Sequence, residues 1–202
     1  MKWQALSLSL LAATATAASV PTTIPVLCAP PKPPSTGLTV YALRLSTYDT
    51  SLNGQYLQLY NNTVGVYNES SAQLQVYPSK IDNKNSSLVE LHTYPIGIID
   101  HVLAMLGSQS EGVFGIRDVT MPAATEVTAG TTFDWTSFNL PTNTTTADSP
   151  VNAFTWAGGA KDGRWAAFPK LGGWNIVWKN PSAITTQDYV LVNINYVPLS
   201  AA

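Results

Sequence analysis

The chain has 202 residues, a formal net charge of −2 and only 11% charged side chains, against about 25% in an average soluble domain. Thr, Ser, Asn and Gln supply the polar surface instead, and no basic patch marks a nucleic-acid or anionic-membrane partner. A lone cysteine, Cys28, excludes an intrachain disulfide framework.

In chain order, the first segment reads as a secretory signal peptide over residues 1–17. Lys2 is its positive start, the apolar stretch runs from Trp3 to Ala13, and Ala15-Thr16-Ala17 offers the small-x-small cleavage pattern. That stretch is too short for a bilayer, which needs about 20 apolar residues. Loss of Lys2 with the signal would take the net charge from −2 to −3. Residues 18–36 follow as a spacer or propeptide, "SVPTTIPVLCAPPKPPST" carrying prolines that favour extended polyproline II and no core pattern. Cys28 falls here, as a spare thiol or as one half of a disulfide between chains.

Residues 37–202 read as a single all-β domain, long enough to bury about 70% of its unfolded surface without disulfides. "VYALRLST" alternates, with Tyr41, Leu43 and Leu45 on one face. "QYLQLY" and "TVGVYN" are two strands joined at Asn61-Asn62, a hairpin signal. "AQLQVYP" turns Leu74 and Val76 inward. "SLVELHTY" sets Val89 and Leu91 against Glu90 and His92. In "PIGIIDHVLAMLG", Ile99, Val102, Leu103 and Leu106 have helical spacing with Gly107 as a C-cap, so 98–106 fits one short helix or a strand flanking a turn. "EGVFGIRDV", "TTFDWTSFNL" and "NAFTWAGG" read as further strands. Asp162-Gly163 turns the chain into "RWAAFPK", and Leu171-Gly172-Gly173 turns it into "WNIVWKN". The last strand, "DYVLVNINYV", puts Val190, Val192, Ile194 and Tyr196 on one face and Asn193 and Asn195 on the other. About twelve strands in three clusters (38–80, 88–140 and 152–198) match the count of a β-trefoil; a two-sheet β-sandwich fits the same alternation.

Trp174, Ile176 and Trp178 share a strand face with no polar member, whereas a sugar platform would interleave its aromatics with Asp, Asn or Gln. The face therefore reads as core in preference to platform, since a buried Trp contributes upwards of about 1.5–3 kcal/mol by area. Trp156 and Phe154 read the same way; Trp165 is open between the two.

Candidate chemistry is sparse. Four N-x-[ST] sequons, Asn61, Asn68, Asn85 and Asn143, are candidate N-glycosylation sites behind a signal peptide, and Asn180 fails because Pro181 follows it. Glu90, His92, Asp100 and His101 would form a metal site only if their strands were neighbours; a polar outer face and a solvated turn is the preferred reading, so no metal is expected. There is no G-x-S-x-G elbow, H-E-x-x-H, P-loop, dinucleotide fingerprint or Q-x-W signature. Glu69, Glu90, Glu111 and Glu126 are scattered, leaving a carboxylate pair for glycoside hydrolysis open.

The Y-x-L-R strand at Tyr41, Leu43 and Arg44, the G-G-W…W hairpin from Gly172 to Trp178 and the terminal β-strand resemble those of small secreted ascomycete proteins, mostly uncharacterised, a few of them cell-wall-associated. The resemblance covers most of 38–198 and implies a secreted protein without catalytic residues to carry over. The expectation is a secreted, glycosylated, non-enzymatic fungal cell-wall or surface protein, structural or an interaction module, needing no cofactor. Its expected partners are cell-wall polysaccharide or an extracellular protein, with no nucleic acid and no membrane. A module binding a glycan or host component is the alternative, and a glycan-active enzyme the third.

Overall fold

A computed structural model describes residues 37–68, 71–81, 87–140 and 153–199. The signal peptide, the Pro-rich segment with Cys28, Glu69, Asn85 and Asn143 lie outside the described residues. The fold is all-β and antiparallel, with fourteen strands among the described residues where the pattern led us to expect about twelve.

The first cluster holds β1 (Val40–Ser46), β2 (Gln58–Tyr60), β3 (Thr63–Tyr67) and β4 (Gln75–Lys80). The second holds β5 (Leu88–Tyr94), β6 (His101–Ser108), β7 (Val113–Thr120), β8 (Thr131–Asp134) and β9 (Phe138–Asn139). The third holds β10 (Thr155–Trp156), β11 (Arg164–Lys170), β12 (Gly173–Lys179), β13 (Val190–Leu191) and β14 (Asn193–Leu199). The two extra strands arise because "TTFDWTSFNL" and the last segment are each interrupted. A single 3-10 turn, Pro122–Ala124, lies between β7 and β8.

Six of these strands form a ring. β1 pairs with β4, β4 with β5, β5 with β9 and β9 with β10. The ring returns through the Ala153↔Asn195 bridge and the Phe154 N–H donated to the Ile194 carbonyl at 2.8 Å, then through seven residue pairs between β14 and β1. The sheet is thereby a nearly closed barrel, which protects most of its edges. Three hairpins, β2–β3, β6–β7 and β11–β12, project from the ring. They also pair with one another: β3 with β12, β12 with β7, and β3 with β7 through Thr63↔Arg117. In each cluster the segment after the hairpin pairs back on the hairpin's first strand, through Gln58↔Gln73, β6–β8 and β11–β13.

Local chemistry explains the turns. The β2–β3 link is the two-residue loop Asn61-Asn62, with φ of 46° and 57°. Both central residues of this turn need positive φ, and Asn tolerates that better than most side chains. At the β11–β12 loop, Leu171-Gly172, only the second position has positive φ, and glycine fills it at 84°.

The helix considered for 98–106 is absent; β6 runs through most of that span. Val102, Leu103, Ala104 and Met105 are all buried. A strand covered on both faces shows a continuous apolar run, in which helical spacings occur without a helix.

Elsewhere the alternation holds. Leu43, Leu45, Leu74, Val76, Leu91, Val192, Ile194 and Tyr196 are buried in one core cluster, with Tyr41, Val89 and Val190 packed against it. No helix among the described residues is long and apolar enough to cross a membrane.

Candidate functional site

Three of the tryptophans belong to the core. Trp156, Trp165 and Trp178 are buried and run in a chain of rings. Phe138 stacks on Phe154, and Phe154 on Trp165, each at 5.3 Å. Trp165 then meets Trp178 edge-on at 5.2 Å, Trp178 meets Trp156 at 6.0 Å, and Trp156 meets Phe114 at 5.1 Å. These offset and edge-to-face arrangements are the favoured ones for aromatic quadrupoles. Trp165 Nε1 donates to the Phe154 carbonyl at 2.8 Å and Trp156 Nε1 to Asp134 Oδ2 at 2.7 Å. Trp178 Nε1 is buried and has no acceptor among the described residues. Gly159 and Gly163 lie against that indole edge, where a Cβ at either would come within 2.2 Å of Nε1. Gly163 thus makes room for an indole, beyond marking the turn that its sequence context indicates. Trp174, on the same strand face, is only half-buried at the edge of the core, less enclosed than its pattern led us to expect.

The two histidines separate. His92 on β5 lies directly opposite Val102 on β6. Directly opposed residues point to one face of a sheet and the next residue to the other. His101 therefore faces away from His92, and the Glu90/His92/Asp100/His101 constellation does not assemble. His92 instead lies between two carboxylates on its own face. Its Nδ1 is 2.8 Å from Asp100 Oδ2 and its Nε2 is 3.5 Å from Glu90 Oε2. Tyr77 stacks on the imidazole at 5.0 Å. Burial, then the Asp100 charge and hydrogen bond, hold the Tyr77 phenol above the usual tyrosine range. The cluster clasps the 95–100 segment to the sheet through Asp100. No group of three or more His, Cys, Asp or Glu among the described residues is placed to hold a metal ion.

His101 has a different partner, Asp118 of β7, with Nδ1 to Oδ2 at 2.7 Å. The register sets Leu103 opposite Asp118. His101 is two residues from Leu103 and shares its face, so both members of the pair point to the core side. The Asp118 side chain is 4% exposed and that of His101 is 41% exposed. Both line a groove of about 630 Å³ between the first and second clusters, whose walls include Leu59, Leu74, Tyr94, Pro95, Ile98 and Ile99. Asp118 Oδ1 is buried with no hydrogen-bond partner among the described residues. Sequence reasoning missed this pair because it set His101 beside Asp100, its chain neighbour. A signal was present: in "VFGIRDV" the inward positions are Phe114, Ile116 and then Asp118, a carboxylate in core phase.

A second groove, of about 550 Å³, lies between the β6–β7 turn and the segment after β12. Ser110, Glu111, Thr185, Thr186 and Gln187 line it together with Phe168. Phe168 stacks on Tyr189 at 5.2 Å, and Lys179 Nζ sits 5.3 Å from the Tyr189 ring centre. Here an aromatic is interleaved with polar side chains, which the Trp174–Trp178 face lacks. Glycoside hydrolysis needs two carboxyl groups about 5–9.5 Å apart. Asp118 is the only carboxylate lining the first groove and Glu111 the only one lining the second, among the described residues.

Of the sequon asparagines, Asn61 is exposed at the tip of the β2–β3 hairpin and Asn68 is exposed just after β3. The chain matches no protein-family model, no curated protein and no solved structure.

Proposed function

We propose that this is a secreted, N-glycosylated, non-enzymatic β-trefoil protein of the fungal cell wall or surface, acting as a structural or interaction module. Three observations support the trefoil reading. Six ring strands pair in the order β1-β4-β5-β9-β10-β14, and three hairpins pair mutually beside them. Each cluster contributes two strands to the ring and one hairpin. In each cluster the segment after the hairpin also returns to its first strand, an arrangement with threefold logic although no sequence repeat is visible.

The observation that carries the functional reading is the placement of Asn61 and Asn68 at exposed positions around one hairpin, in a chain whose first residues fit a cleaved secretory signal. Glycans there would add solubility to a surface short of charge. The wall assignment extends the resemblance of the Tyr41–Arg44 strand and the Gly172–Trp178 hairpin to small secreted ascomycete proteins. The test is fractionation of the producing cells: the protein should appear in the wall fraction and resist mild salt extraction. Recovery only as free protein in the medium would refute the wall assignment, and retention inside the cell would refute secretion.

The alternative, a module that binds a glycan or a host component, is favoured by the second groove, where Phe168 lies among Glu111, Thr185, Thr186 and Gln187. Sugars use this combination of apolar face and hydrogen-bonding neighbours. A glycan array separates the two readings, and Phe168→Ala should abolish any signal on it while leaving the melting temperature little changed.

A further inference from the structure

We propose that the groove between the first and second clusters binds a small apolar molecule through one hydrogen-bond donor, an O–H or N–H group that reaches Nε2 of His101. The inference goes beyond the wall assignment and stands or falls independently of it.

The chemistry starts at Asp118. An ionised carboxylate only accepts hydrogen bonds, so at 2.7 Å the His101 Nδ1–H donates to Oδ2. Neutral imidazole has one donor and one acceptor, which makes Nε2 the acceptor. Asp118 and its core-facing position thus fix the tautomer, and Nε2 of a partly exposed ring carries the lone pair. A donor arriving at Nε2 polarises the imidazole and strengthens the bond to Asp118, as linked hydrogen bonds do.

The second observation is independent of His101. Asp118 is almost wholly buried, yet its Oδ1 has no partner among the described residues. A buried carboxylate with an unused oxygen is costly, and such groups in folded proteins usually have a reason. Asp118 Oδ1 itself is closed off from solvent, so His101 Nε2 is the acceptor that the pair offers to the groove it lines. Among the described residues no Lys or Arg lines that groove. The groove is therefore suited to a donor and unsuited to an anion.

The walls define the rest of the ligand. Ile98 is 85% exposed, and Ile99 and Tyr94 are also exposed, at the rim of the same groove. These side chains leave apolar area in water that an apolar body would cover. The volume, about 630 Å³, falls within the range of about 300–1,000 Å³ for small-molecule sites. The clasp of Asp100 on His92 and Tyr77 holds the segment that carries Ile98 and Ile99, so the rim is positioned before any ligand arrives.

The experiment is solution NMR on the purified protein in mildly alkaline buffer. Only two histidines exist, so the imidazole resonances form two sets. Four probes are titrated: 4-ethylphenol, phenethylamine, propylbenzene and 3-phenylpropanoate. Saturable shifts of the His101 imidazole and the Ile98 and Ile99 methyls, with His92 unmoved, are expected for 4-ethylphenol and phenethylamine. Propylbenzene, lacking a donor, and the anionic phenylpropanoate should bind about tenfold more weakly or less well still, the loss of one good hydrogen bond. A stronger response to phenethylamine than to 4-ethylphenol would assign the physiological ligand to the cationic class, and the reverse order to the neutral one.

His101→Asn keeps a donor for Asp118 but its shorter side chain ends at the amide and leaves no acceptor at the Nε2 position, so it should erase the preference for 4-ethylphenol over propylbenzene. Ile98→Ser, at an exposed position that folding does not depend on, should weaken all four. Absence of any saturable shift at His101 overturns the proposal. So does equal binding of propylbenzene and 4-ethylphenol, or a donor preference that persists in His101→Asn.

Discussion

Trp178 gives the sharpest test of the core. Its side chain is 6% exposed and edge-on to both Trp165 and Trp156. Replacing a buried Trp or Phe with Ala typically costs about 3–5 kcal/mol, because transfer energy is lost and a cavity remains. The two aromatic contacts argue for the upper half of that range, each such pair being worth about 0.5–1.5 kcal/mol beyond area. A domain of this kind has about 5–15 kcal/mol in total. At this size each kcal/mol moves the melting temperature by about 2–4 °C, so a loss of about 4–5 kcal/mol in Trp178→Ala should lower it by about 8–20 °C.

The orphan indole N–H sharpens the test further. Trp178→Phe loses ring area but also removes a buried donor without a partner, a group whose burial costs about 1–3 kcal/mol. Trp165→Phe loses the same area and breaks the bond from Nε1 to the Phe154 carbonyl. Trp165→Phe should therefore be more damaging than Trp178→Phe, although the two residues are neighbours of similar burial. Thermal unfolding followed by circular dichroism, with chemical denaturation in parallel, reads all three variants. A Trp178→Ala protein that melts within about 2 °C of wild type would refute the core assignment. Equal losses for the two Phe variants would refute the hydrogen-bond argument. Lys179→Ala is the control: Lys179 contributes one cation–π contact with Tyr189, worth about 0.5–1 kcal/mol at an exposed site.

Further outcomes follow from the same structure. Asp134→Ala removes the acceptor of Trp156 Nε1 and should cost about 1–3 kcal/mol, whereas Asp134→Asn keeps a carbonyl oxygen and should cost less; denaturation midpoints check both. Tyr67, Tyr77 and Tyr196 all have phenols held above the ordinary value of 10.0, mainly by burial. A raised acid holds its proton longer folded than unfolded, so their stabilisation is complete below about pH 10 and is lost as pH rises through the folded values. Urea midpoints should therefore fall above about pH 10, and a flat profile to the point where all tyrosines ionise would contradict the burial of these rings. Glycosidase treatment in heavy water followed by peptide mapping should show deamidation at Asn61, and unmodified Asn61 in protein from the native host would refute its use as a glycan site.

How much was legible in the chain depends on whether the deciding contact is local. The Asn61-Asn62 hairpin was legible because two positive-φ asparagines and the alternation on either side settle it within ten residues. The Trp178 face was legible because a strand's period is two and no polar residue interrupts it. β6 was not, since burial on both faces erases the period by which a strand is known. Pairings such as β5–β9 or β14–β1 join segments far apart in sequence, and alternation says which face is inward but not which strand lies alongside.

The His101–Asp118 pair lies between these cases. Phe114 and Ile116 set the inward phase of β7, and the next inward position holds a carboxylate. A charge in core phase costs several kcal/mol unless it is paired, so its mere position implies a partner on an adjacent strand. Finding that partner requires the β6–β7 register, which follows once 109–112 is seen as the connection between them. With Leu103 opposite Asp118, the residue two before Leu103 on the same face is His101. The chain neighbour, Asp100, points to the other face and goes to His92. The two acid–histidine pairs thus sort themselves by strand phase, not by proximity in sequence. Phase also decides their fates: the pair on the outer face fastens a segment of chain, and the pair on the core side reaches a groove with one oxygen to spare.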